Sequence, residues 1–291
     1  MHSPPPAEAV ESIKLPDGRQ LAWSQWGPAD GQPVIFCTGA GMSGSLGFGV
    51  DVLPELGLRL LAVDRPGLGR STTHPAKTLA SWVEDVRHLV ERQNLDRVTA
   101  VGFSQGAPFA LMLGGAGVAR AVAVVAGQDD LATVEHLLPE EVAGMVRAAR
   151  QDPVGFERHF AGLATAEGMW DMVIGMSGQR DRALFSGGSF GSAYLRSLTE
   201  GFSQGPAGYA RDLVNAVGRW PTPVEQVDVP VDLWYGQLDT SPVHSPDFGA
   251  TLAGRLPNAH RHLYPAEGSS ILWTRAAEIL TVLKQRAGED S

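Results

Sequence analysis

Polar and apolar positions alternate in two short runs, Glu11–Leu15 and Arg19–Trp26, separated by Pro16-Asp17-Gly18. A period of two marks a strand and Pro-Asp-Gly supplies a turn, so this stretch predicts a β-hairpin. Short, largely apolar runs then recur, each closing on Gly, Asp or Pro: Val34–Cys37, Leu58–Val63, Val98–Val101, Ala121–Ala126, Val231–Tyr235 and His262–Tyr264. Stretches of helical periodicity lie between several of them, at Leu79–Asn94, Ala107–Leu113, Phe248–Leu256 and Leu272–Arg286. Strands that are apolar on both faces and alternate with helices predict an α/β protein with a parallel sheet covered on both sides.

The alternation lapses between about Leu131 and Pro223. That segment has a helical pattern with Gly-rich joints such as Ser186-Gly187-Gly188-Ser189, and it predicts a helical insertion between two strands of the sheet. Its aromatic and methionine residues (Phe156, Phe160, Met169, Trp170, Met172, Met176, Phe190, Tyr194) either pack the insertion on itself or line a pocket against the sheet.

Composition narrows the picture. Of the 291 residues 43% are hydrophobic and 19% charged, enough apolar material for a sizeable core and too little charge for a disordered chain. The net charge of −9 argues against a nucleic-acid or anionic-membrane surface as partner. No run approaches 18 apolar residues, and the amino-terminal segment lacks a basic start with an apolar run, so neither a membrane span nor a signal peptide is expected. The expectation is a soluble, cytoplasmic protein that takes a small-molecule substrate; its oligomeric state is not encoded in any readable pattern. A single cysteine, Cys37, excludes internal disulfides and multi-cysteine zinc sites. His260 and His262 fall on one face of the last strand, but without a carboxylate beside them they form no metal site. No organic cofactor is implied.

The sharpest chemical signal is Gly102-Phe103-Ser104-Gln105-Gly106, between an apolar run and a helical stretch. In that strand–turn–helix setting a G-x-S-x-G lifts its serine to the carboxyl end of the sheet, above a helix amino terminus. Backbone N–H groups there can hold an oxyanion. Phe36-Cys37-Thr38-Gly39-Ala40-Gly41-Met42 closes an early strand, where its glycines let the Ala40 N–H point at the same space as the Gln105 N–H.

With Asp64-Arg65-Pro66-Gly67-Leu68-Gly69-Arg70-Ser71 and Trp234-Tyr235-Gly236-Gln237-Leu238-Asp239, these motifs resemble the α/β-hydrolase fold family, over a span from about Glu11 to Arg286. The resemblance implies a mostly parallel eight-stranded sheet with helices on both faces. It also implies a core from residues 1–130 and 224–291, a helical cap from 131–223, and Ser104 as nucleophile. The acid would follow the seventh strand, at Asp239, with Asp129 or Asp130 as the alternative. The histidine departs from the pattern: after Glu267-Gly268, where the family carries it, stands Ser269. A hydroxyl cannot serve as general base near neutral pH. Three readings follow. His244, five residues beyond Asp239, serves as a displaced base; or the site has lost its triad and binds, rearranges or cyclises a small ligand; or Ser269 replaces a catalytic histidine. The first gives a carboxylesterase-like serine hydrolase acting on an ester-like acyl bond of a small, largely apolar molecule.

Overall fold

The computed structural model describes residues 4–288, so the first three residues of the amino-terminal segment lie outside it. Strands β1 (Ala9–Lys14) and β2 (Gln20–Trp26) form the expected hairpin, with Ile13 opposite Leu21. β2 runs antiparallel to β4 (Leu58–Val63). From there β3 (Gln32–Cys37), β5 (Thr99–Phe103), β6 (Val122–Val125), β7 (Val231–Gly236) and β8 (Ala259–Tyr264) continue the sheet in parallel. The order is β1-β2-β4-β3-β5-β6-β7-β8.

The central strands are largely apolar because each one feeds two cores. Val34 and Phe36 of β3 enter the cluster on one face, and Ile35 and Cys37 enter the cluster on the other. The helices α2 (Leu79–Arg92), α3 (Gly106–Gly115) and α10 (Ala250–Arg255) contribute to the second cluster. The first gathers α1 (Leu53–Leu56), α11 (Ile271–Thr274), α12 (Ala276–Arg286) and the helices that follow β6. Those are α4 (Glu140–Gln151), α5 (Pro153–Leu163), α6 (Ala166–Met176), α7 (Gln179–Phe185), α8 (Gly188–Gly201) and α9 (Ala207–Val217), with no strand among the described residues between β6 and β7.

Two expectations need correcting. The periodicity at Leu272–Arg286 is two helices, because Arg275 leaves helical geometry (φ −122°, ψ 21°) as its guanidinium turns to Glu267 and the Tyr264 ring. His262 does have a carboxylate neighbour: its Nε2 lies 2.7 Å from Asp232 and its ring stacks on Trp234 at 3.8 Å. No cluster of three or more metal-ligating side chains occurs among the described residues. None of their helices is long and apolar enough to cross a membrane.

Candidate active site

The turn from β5 into α3 sets the site. Ser104 sits at φ +51°, a left-handed conformation that side-chain-bearing residues adopt at a cost. The turn closes because its neighbours lack side chains: a Cβ on Gly106 would stand 2.0 Å from the Cys37 carbonyl oxygen, and one on Gly102 would stand 2.7 Å from Ala107 Cα. Helix α3 can therefore press against β3 and β5, with the serine projecting above the sheet.

Ser104 Oγ lies 2.8 Å from His244 Nε2, and His244 Nδ1 lies 2.6 Å from Asp239 Oδ2. A carboxylate at Nδ1 assigns the proton there and leaves Nε2 to accept from the serine hydroxyl. Asp239 is held in turn: its Oδ1 accepts from the Ser241 N–H at 2.9 Å. The histidine thus arrives from the loop after β7, the loop that also carries the carboxylate. Both side chains are at least nine-tenths buried, so little water competes for the chain of hydrogen bonds.

Ser269 lines the same cavity but faces a different partner. Its N–H and hydroxyl both donate to Asp181 Oδ2 on α7, at 2.8 and 3.1 Å, and the Ser270 N–H donates to Oδ1 at 3.0 Å. The position is therefore used to fasten α7 to the segment leading into α11. Neither Asp129 nor Asp130 hydrogen-bonds to His244, whose ring nitrogens face Ser104 and Asp239. Asp129 Oδ2 accepts from the Ser245 hydroxyl at 3.0 Å, while Asp130 pairs with Arg255. Burial, joined by the nearby Asp247 carboxylate and opposed by hydrogen bonds from Ser245 and Asp130, pushes the Asp129 carboxyl up to about 6.

Neither the Ala40 nor the Gln105 N–H has an acceptor among the described residues, and Ala40 lines the cavity beside Ser104. The loop carrying Ala40 is pinned from below. Arg65 is fully buried; it donates from Nη1 to the Thr38 carbonyl at 2.6 Å and from Nη2 to the Gly39 carbonyl at 3.0 Å. Its Nε donates to Asp212 of α9 at 2.7 Å. Lys77 Nζ stands 2.5 Å from the other oxygen of Asp212, an ion pair without hydrogen-bond alignment, and donates to the Pro66 carbonyl at 2.6 Å. These partners were not identifiable in advance: Arg65 belongs to a recognisable motif, but Asp212 is 147 positions away.

The cavity itself is about 60 Å³, room for roughly four water-sized groups. Its walls are Met169, Met172, Val173 and Met176 of α6 facing Phe103, Phe185 and Val243. The aromatic and methionine residues of the insertion divide between the two predicted fates. Phe156 packs on Phe160 at 4.7 Å and Phe190 on Phe185 at 6.4 Å, whereas the three methionines and Tyr194 line the cavity.

Comparison with known proteins bears on the fold. Similar solved structures include a bromoperoxidase from Bacillus anthracis (18% identity, TM-score 0.70, covering 97% of this chain and 100% of that one). An enol-lactonase from Burkholderia xenovorans LB400 (18%, 0.66, 96% and 100%) and the esterase EaEST from Exiguobacterium antarcticum (14%, 0.65, 96% and 99%) are similar too. A serine hydrolase-like protein from Danio rerio is 35% identical over 91 residues, a match spanning 30% of this chain and only 28% of that protein. The family model for the alpha/beta hydrolase fold matches residues 32–276, most of the chain, and with the sheet order and the turn at Ser104 it places this protein in the alpha/beta hydrolase fold family.

Proposed function

We propose that the protein is a serine hydrolase that cleaves an ester-like acyl bond of a small, largely apolar molecule. One observation carries this reading: the unbroken chain from Ser104 Oγ through His244 to Asp239, at 2.8 and 2.6 Å. His244 takes the serine proton as Oγ attacks the carbonyl, and Asp239 stabilises the imidazolium that forms. The Ala40 and Gln105 N–H groups receive the developing oxyanion, each worth about 3–4 kcal/mol in the transition state. His244 then returns the proton to the leaving alcohol, and water, deprotonated by the same histidine, releases the acid. The segment between β6 and β7 acts as a cap over Ser104, with α6 forming its inner wall. The names of the esterase and the enol-lactonase, whose folds this chain shares, favour acyl-oxygen chemistry as well.

A fluorophosphonate probe and p-nitrophenyl butyrate test the reading. Wild-type protein should be labelled and should hydrolyse the ester. Ser104→Ala should abolish labelling, and His244→Ala should lower kcat by about 10²–10⁴-fold, the usual contribution of a general base. A folded wild-type protein that neither labels nor hydrolyses at pH 8 would sink it.

A further inference from the structure

A peptide group is planar, so whatever holds its carbonyl also aims its N–H. The Ser104–Gln105 peptide is held twice: the Ser104 carbonyl accepts from the Ala107 N–H at 3.1 Å and from the Gln128 N–H at 3.0 Å. The Gly39–Ala40 peptide lies in a loop, with no helix above it to do the same. Its carbonyl accepts a long turn bond from the Met42 N–H at 3.4 Å and a shorter, charged one from Arg65 Nη2 at 3.0 Å, and the bond before it is braced by Nη1 at the Thr38 carbonyl. All peptides among the described residues are trans, so the Ala40 N–H points opposite to the carbonyl that Arg65 grips. A cation at the carbonyl also polarises the amide and makes its N–H a better donor.

We propose that Arg65 is a positioning residue for the oxyanion: its guanidinium fixes and polarises the Gly39–Ala40 peptide, and Asp212 on the cap helix α9 holds the guanidinium in register. The proposal rests on the reading of Ala40 as an oxyanion donor. It gives the buried Arg65–Asp212–Lys77 group a catalytic consequence that packing alone does not require. The cap helix carrying Asp212 becomes part of the oxyanion machinery, although none of its side chains need touch substrate. Three acceptors, Asp212 Oδ2 and the carbonyls of Thr38 and Gly39, match the three nitrogens of a planar fork; an ammonium carries the same charge on one nitrogen and cannot span them.

Arg65→Lys is therefore the discriminating variant. It should keep a positive charge beside Asp212 and a cooperative fold, with a melting temperature lowered by a few degrees because the buried Thr38 and Gly39 carbonyls lose a donor. With p-nitrophenyl butyrate, kcat should fall roughly 10–100-fold, short of the 10²–10³ lost when an oxyanion donor is deleted outright, while KM moves by less than about threefold. The inhibition constant of 1-butaneboronic acid, whose serine adduct places an anionic oxygen in the hole, should rise in parallel with the loss in kcat. A companion variant, Arg65→Met/Lys77→Met/Asp212→Leu, leaves no buried charge without a partner and so guards against a simple folding failure; folded, it should remain slow. Undiminished kcat in Arg65→Lys, or wild-type kcat in the folded triple variant, overturns the proposal while leaving the hydrolase reading intact. Wild-type protein that neither turns over the ester nor binds the boronate removes the hydrolase reading and this proposal with it.

Discussion

At the scale of single residues, the histidine shows how far residue order alone can reach. Asp239 and His244 are five positions apart, and only the course of the loop after β7 decides that the imidazole folds back onto Ser104 at 2.8 Å. The position where a family pattern looks for that histidine, Ser269, is 6% exposed and spends both polar groups on Asp181. Ser269→His should consequently cost about 1–3 kcal/mol by overpacking and give no gain in esterase rate, checked by denaturant melts and ester hydrolysis. Asp129 makes a second residue-scale prediction. Its folded-state pKa of about 6 lies above the ordinary 3.8, so between those values the folded protein holds a proton that the unfolded chain has lost. Stability from this group is greatest below about pH 4 and is lost as pH rises through 6, by about 2–3 kcal/mol in total. Asp129→Asn removes the effect. Its stability relative to wild type should therefore improve by about that amount between pH 4 and pH 7 in paired urea melts, and a flat difference would contradict the cause given for the shift.

At the scale of elements, the central strands were legible because a strand buried on both faces is largely apolar; Leu58–Val63, with Arg59 its one polar residue, emerges with the same bounds in the chain pattern and in the fold. In strand β8 the apolar run marked only the second half, and alternation added His260. This strand lies at the sheet edge, where Ala259, His260 and Arg261 need not be apolar. The elbow was legible because its glycines answer local contacts, whereas the Arg65–Asp212 strut and the Asp181 anchor join segments more than 80 positions apart and leave no local trace. Two element-scale predictions follow the same contacts. Gly106→Ala drives a methyl to 2.0 Å from the Cys37 carbonyl oxygen, a backbone atom that cannot swing aside, and should abolish cooperative folding or destabilise by more than about 3 kcal/mol in thermal melts. Asp181→Ala strips the acceptor from two buried N–H groups and a hydroxyl ahead of α11. It should cost about 2–4 kcal/mol and raise hydrogen exchange in α7 before it does so in β5.

At the scale of the whole molecule, the proposed reading divides the labour between sheet and cap: the sheet's carboxyl edge presents the hydrogen-bonded chain, and the proposed cap decides what reaches it. Trp273 of α11 packs against Phe103 of the sheet and against Phe185, Phe190 and Tyr194 of the cap, all with ring centres within 6.0 Å, which fixes the back of the cavity. The front wall is softer. Met169 and Met172 line both the inner cavity and an outer groove of about 200 Å³ bounded by Phe160, Leu163, Ala164 and Tyr209, and Met172 is 39% exposed while Met169 is buried. An unbranched thioether packs against a rigid aromatic back wall without fixing a single shape, so this partition is the part of the site most easily moved. With room for roughly four water-sized groups behind it, the wild-type protein should favour acyl chains of about two to four carbons in a p-nitrophenyl ester series, with kcat/KM falling on longer ones. Met169→Ala joins the cavity to the groove and should extend the optimum by several carbons, each added buried methylene worth up to about 0.8 kcal/mol of binding, or about fourfold in kcat/KM. An optimum that stays in place in the folded variant would mean that the chain leaves the site by another route and that α6 is a wall without a gate.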